Sequence, residues 1–217
     1  VGSEMCIRDS GCRPVPPDFH ARYSCRGKRY VYEIWNHPVR SPFLHGRALH
    51  YYHPIDEKLL DAAARYFIGR HDFTSFCTLD KREMGDFHRT VAESRVTRDG
   101  DMVRFTVAAD GFLYNMVRIC AGTLALVGQG KLPEDCFAQA YATRSRLSLG
   151  YTAPAKGLTL VRVLYPGQEA QGEALAGMDA LFGGADAAEF LPDGPELLPP
   201  KPLDLTEKPL DGEENLR

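Results

Sequence analysis

No run in the 217-residue chain approaches the roughly 20 apolar residues of a membrane-spanning helix. A membrane-spanning reading is therefore set aside. None of the six cysteines (Cys6, Cys12, Cys25, Cys77, Cys120 and Cys136) forms a C-x-x-C pair. In a chain long enough to build a core, such scattered cysteines read as reduced thiols of a cytoplasmic protein, not as a disulfide framework. There is no P-loop and no dinucleotide fingerprint. No signal peptide is visible, because the start Val1-Gly2-Ser3-Glu4-Met5-Cys6 lacks a basic segment followed by an apolar stretch.

What is present fits an ordinary folded protein: 44% hydrophobic, 10% aromatic and 25% charged residues. The net charge of -3 hides an asymmetry. Residues 168–217 hold 12 acidic and 3 basic residues, which leaves 17 acids against 23 bases, or +6, in residues 1–167. A basic body hints at a polyanionic partner, although charge alone favours a soluble domain with a solvated tail.

Residues 1–12 lack periodicity and are read as a non-native segment, so that the natural protein is expected to continue upstream. Residues 13–166 form the folded part. Beyond Pro166, Gly, Ala, Pro, Asp and Glu dominate, and residues 167–217 are expected to be an acidic, mostly disordered tail.

Within the body, His20–Cys25 and Lys28–Trp35 read as two strands of a hairpin. Ala48–His53 is a candidate short strand. Asp56 is a suitable N-cap for a helix with an apolar stripe of Leu59, Leu60, Ala63, Tyr66 and Phe67. His71–Glu83 reads as a loop. Asp99-Gly100 between two alternating runs, Thr90–Arg98 and Asp101–Ala108, signals a second hairpin. Helices are expected over Phe112–Gly128 and from Leu132-Pro133 to about Thr143, and a last strand over Gly157–Tyr165. The order β-β-α-β-β-α-α-β predicts an α+β fold, a largely antiparallel sheet with helices on one face.

Four phrases stand in order: Asp18-Phe19-His20-Ala21-Arg22-Tyr23-Ser24 followed by Lys28-Arg29-Tyr30-Val31-Tyr32; His71-Asp72-Phe73-Thr74-Ser75-Phe76; Phe112-Leu113-Tyr114-Asn115-Met116-Val117-Arg118 with Gly122; and Thr152-Ala153-Pro154-Ala155 with Gly157-Leu158. Over about residues 14–166 the sequence resembles the C-terminal half of the bacterial tRNA pseudouridine synthase A family. The resemblance implies a pseudouridine-synthase-type fold, here partial. It also implies an isomerase that turns uridine into pseudouridine in the anticodon stem-loop of tRNA, at positions 38 to 40, as a homodimer without cofactor or metal. By the same resemblance Tyr30 contacts the target base and Arg118 pairs with an aspartate nucleophile. Stacking on an aromatic face restores energy to a base taken out of its stack. Asn115, Arg118 and Gly122 share one helical stripe, and Gly122 would let another backbone come close. Arg22, Lys28, Arg29 and Arg89, together with Arg95, are candidates for RNA phosphate contacts, being basic residues interleaved with aromatics.

The family's nucleophile sits in a G-R-T-D-x-G-V-H-A phrase that has no full match here. Arg8-Asp9-Ser10-Gly11 lacks the V-H-A that should follow, and Asp9 is not taken as the nucleophile. Asp18, Asp72, Asp86 and Asp110 do not match either; Asp72 and Asp110 read as turn residues. This chain is therefore expected to be a truncated form, inactive alone, with a strand edge and apolar surface left uncovered. The alternative is a non-catalytic RNA-binding module of the same fold. Zinc at His71, Cys77 and His88 fits no common spacing, and a Cys77–His71 thiol site rests on a lone pair in a loop.

Overall fold

The computed structural model describes residues 14–78 and 85–165. The expected non-native segment 1–12 and acidic tail 167–217 lie outside the described residues. The strands are β1 (Gly27–Trp35), β2 (Leu49–His50), β3 (Gly69–Asp72), β4 (His88–Asp99), β5 (Met102–Ala109) and β6 (Leu158–Leu164). The helices are α1 (Glu57–Ala64), α2 (Met116–Gly128) and α3 (Cys136–Thr143).

The strands form one sheet in the order β2-β1-β5-β4-β3, with β6 also paired to β1. All pairings are antiparallel except the short β1–β2 contact. The fold is α+β, with a largely antiparallel sheet, as the element order predicts. The Asp99-Gly100 hairpin joins β4 and β5, and Gly100 takes the positive φ of 57° that the tight turn requires.

One sheet face carries Tyr30, Tyr32 and Ile34 of β1 opposite Val107, Phe105 and Val103 of β5. It continues as Ser94 and Val96 of β4. This face takes the helices: Ser94 Oγ donates to Ala64 O of α1 at 2.7 Å, and Arg98 Nε reaches Glu57 at 3.1 Å. Phe67, Phe73, Phe76, Phe105 and Phe137 are fully buried there and meet edge to face or tilted, except Phe76 and Phe137, which stack. The opposite face bears two rows of ion pairs. Glu93 binds Arg29 at 2.5 Å and Arg95 at 2.9 Å, and Arg104 binds Glu33 at 3.1 Å and Asp99 at 3.6 Å.

Several expected elements are corrected. His20–Cys25 is a turn, not a strand, because His20 and Ser24 side chains capture its backbone N–H groups. The partner that β1 takes instead is β6. The loop expected from His71 begins inside β3, whose pairing with β4 orders it. The helix expected from Phe112 starts at Met116, because Asn115 sits in the left-handed region at φ 61°. The helix expected from Leu132 starts at Cys136, after a turn in which Cys136 N donates to Pro133 O.

β6 is an edge strand, and its Leu160 and Val161 are 47% and 55% exposed. The register of β6 slips by one residue where Tyr30 follows Arg29, so a bulge lies beside Tyr30. Bulges of this kind re-aim side chains and often border functional sites.

Candidate RNA-modifying site

Arg118 stands in the first turn of α2. Its Nη1 donates to Asn115 Oδ1 at 2.7 Å, and its Nε donates to Ala153 O at 2.7 Å. The carbonyl of Arg118 accepts from Ala153 N at 3.0 Å, so residue and loop are tied through backbone and side chain together. Gly122, one turn along the same stripe, makes this contact possible. A Cβ there would lie 2.0 Å from Tyr151 O and 3.2 Å from Ala153 N. Asn115 pays for its left-handed backbone by holding two partners, since its Nδ2 also donates to Thr78 Oγ1 at 3.1 Å. Thr78 N in turn donates to Tyr114 O at 3.1 Å. The third and fourth phrases of the sequence thus meet at the start of α2, beside Thr78, which follows the second phrase. The Nη2 amine of Arg118 makes no hydrogen bond or ion pair among the described residues, which leaves one corner of a fixed guanidinium for an incoming carboxylate or phosphate.

Tyr32 links Arg118 to β1. Its ring is fully buried and its Oη donates to Pro154 O at 2.7 Å. Burial pushes this phenol far up, the charge of Tyr151 adds to the rise, and the nearby Arg118 guanidinium draws it back. Sequence reasoning did not single out Tyr32 as a site residue. Its signal was the two-residue step from Tyr30, which puts both rings on one face of β1.

Tyr30 lies one step further along that face and is half-buried. Its ring meets Phe112 edge to face, with centroids 5.1 Å apart. Burial raises its phenol above the ordinary tyrosine value, and the Cys25 thiol raises it further. The phenol therefore keeps its proton through the neutral range and can donate a hydrogen bond there. Phe112 was also missed as a neighbour of Tyr30, since it comes from a segment distant in sequence, and Cys25, five residues before Tyr30, reads in the sequence as part of a strand.

The remaining sequence candidates divide. Arg22 is exposed in the 20–25 turn, with its guanidinium carbon 5.6 Å from the Tyr23 ring centroid. Lys28 is half-buried on β1 between Ala109 and Val163. Arg89 Nη1 donates to Asp86 O at 2.7 Å and to His88 O at 2.5 Å. Arg29 and Arg95 are ion-paired with Glu93 on the helix-free face. The structure thus brings Tyr30 to the helix-bearing face, where Arg118 also lies, and holds Arg29 and Arg95 on the other. Asp72 and Asp110 act as turn and cap residues: Asp72 accepts from Thr74 N at 3.0 Å, and Asp110 accepts from Thr90 N at 3.0 Å.

Comparison with known proteins places the chain beside one family. A family model described as tRNA pseudouridine synthase matches residues 63–166, which include Arg118 and its supporting loop. The chain is 43% identical over 162 residues to a protein of Acetivibrio thermocellus named tRNA pseudouridine synthase A, covering 75% of this chain and 65% of that protein. A protein of the same name from Brevibacillus brevis is 46% identical over 151 residues, covering 70% of this chain and 62% of that protein. One from Zymomonas mobilis is 39% identical over 154 residues, with 71% and 62% covered. The chain spans somewhat less than two thirds of the length of these curated relatives. With the third and fourth phrases tied together at one helix start and this breadth of similarity, residues 63–166 match the tRNA pseudouridine synthase family.

Proposed function

We propose that the protein to which this chain corresponds isomerises uridine to pseudouridine in the anticodon stem-loop of tRNA, at positions 38 to 40, as a cytoplasmic homodimer. The observation that carries the reading is the fixed guanidinium of Arg118, held at Nε and Nη1 with Nη2 open, on the sheet face that presents Tyr30. The net reaction breaks the bond between C1′ and N1 and forms one between C1′ and C5. The proton lost from C5 is balanced by one gained at N1. Tyr30 offers a ring face to the uracil while it is detached, and its protonated phenol can donate a hydrogen bond to a carbonyl of the turning base. Arg118 keeps the carboxylate nucleophile ionised and in place through a charge-assisted bond. That carboxylate belongs to the G-R-T-D phrase, for which this sequence has no full match.

The test measures tritium release from tRNA transcripts labelled at uridine C5. It uses a chimaera in which this chain replaces the matching stretch of the Acetivibrio thermocellus relative. The chimaera is expected to turn over, and Tyr30→Ala to abolish product while leaving most of the tRNA affinity. The 217-residue chain alone is expected to bind tRNA without product. A chimaera that binds tRNA and never releases tritium would leave the RNA-binding module as the reading.

A further inference from the structure

The first phrase of the sequence, around Asp18–Cys25, folds into a knuckle whose backbone is pinned at nearly every residue. His20 Nδ1 accepts from Arg22 N at 3.1 Å and from Tyr23 N at 3.3 Å. Ser24 Oγ accepts from His20 N at 2.9 Å, and Ser24 N donates to His20 O at 2.8 Å. The Cys25 thiol donates to Arg22 O at 3.0 Å. From below, Tyr165 Oη donates to Ala21 O at 2.7 Å, and the Phe19 ring packs 5.1 Å from the Tyr165 ring. The knuckle is thereby fastened to the residue that follows β6.

This rigid turn holds a large aromatic ring out in water. Tyr23 is 72% exposed, with the His20 ring 4.5 Å from it and the Arg22 guanidinium within cation–π range at 5.6 Å. A single exposed aromatic is common on protein surfaces. This one differs in two respects. Its backbone is ordered beforehand, so a ligand stacking on it has little further ordering to offset. It also borders the site, since Arg26 at the foot of the knuckle donates its N–H to Leu164 O at 2.8 Å and the chain runs on directly into β1, which carries Tyr30. An exposed ring with an adjacent guanidinium suits an unpaired nucleotide: the base lies on the ring and the cation meets the neighbouring phosphate.

We infer that Tyr23 and Arg22 form a stacking site for an unpaired nucleobase flanking the one held at Tyr30. The inference rests on the RNA reading given above. It adds a contact outside the reaction chemistry, one that selects looped over fully paired RNA.

The experiment uses the 217-residue chain itself and fluorescence anisotropy with two labelled probes: an RNA hairpin with a uridine-containing loop, and a blunt RNA duplex of the same stem. Tyr23→Ala is expected to weaken hairpin binding about tenfold while duplex binding stays at the wild-type level. Tyr23→Phe, which keeps the ring, is expected to bind the hairpin as wild type does, and Tyr23→Leu to behave like the alanine variant. Hairpin affinity unchanged in both the alanine and leucine variants overturns the stacking site and leaves the RNA reading standing. An equal loss on hairpin and duplex, or a phenylalanine variant as weak as alanine, also overturns it. A wild-type chain that binds neither RNA overturns the stacking site together with the RNA reading.

Discussion

Gly122→Ala tests whether α2 and the loop that carries Ala153 must touch through their backbones. The added Cβ would lie 2.0 Å from Tyr151 O and 3.1 Å from Tyr151 C. No side chain can swing aside, so the loop itself must retreat. Retreat strains or breaks three bonds: Ala153 N to Arg118 O, Arg118 Nε to Ala153 O, and Gly150 N to Thr123 Oγ1. Overpacking of this kind costs about 1–3 kcal/mol, and each hydrogen bond contributes about 1 kcal/mol net. Replacing glycine in a helix returns roughly 1 kcal/mol of propensity. The expected net loss is about 3 kcal/mol, which lowers the urea midpoint by about 1.5 M at a slope of roughly 2 kcal/mol/M. The assay is far-ultraviolet circular dichroism across a urea series, with Gly128→Ala as the comparison. At Gly128 the nearest atom is Leu60 Cδ1, the end of a flexible side chain, so the loss there is expected to be smaller. A Gly122→Ala midpoint within about 0.25 M of wild type, or a larger loss at Gly128, would refute the argument.

Two further outcomes follow from buried and capped groups. Asp72 is held below the ordinary aspartate value of 3.8, first by the Thr74 hydroxyl, then by Thr74 N and the Arg144 charge. A carboxyl lowered in the folded state contributes stability that is full above the unfolded value and is lost as pH falls through the folded one. The unfolding free energy of Asp72→Ala, from urea titrations, should therefore sit about 1 kcal/mol below wild type at neutral pH and converge on it below the carboxylate range; a constant gap at all pH values would contradict this. Burial pushes the Cys120 thiol far up and the Cys136 thiol up to about 11. Iodoacetamide labelling read by mass spectrometry should leave both unmodified in the native chain and modify both in urea, and rapid native labelling of either would show that the core is open.

Much of the fold was legible because its signals are local. Asp99-Gly100 needs only its two flanking runs, and Asp56 caps α1 through Lys58 N at 2.8 Å, two residues away. The four-residue β3, Gly-Arg-His-Asp, carries no strand composition and is ordered by its pairing with β4. His20–Cys25 alternates like a strand, yet its polar side chains bind the backbone locally and win over pairing. The site divides in the same way. Tyr30 and Arg118 were found through phrases, and the Gly122 approach through a helical stripe. Tyr32 could have been found from its two-residue step along β1, whereas Phe112 reaches Tyr30 through long-range packing, which no spacing in the sequence encodes.

The two ion-pair rows on the helix-free side of the sheet decide how a polyanion sees the molecule. Arg29, Arg95 and Arg104 count toward the basic body, yet each already has a carboxylate beside it in Glu93, Glu33 or Asp99. A nucleic-acid backbone reaching these three arginines would have to displace an acid for each of them, and would release few counterions in doing so. A bias toward one approach direction can thus come from neutralising arginines on one side of a sheet as much as from charging the other.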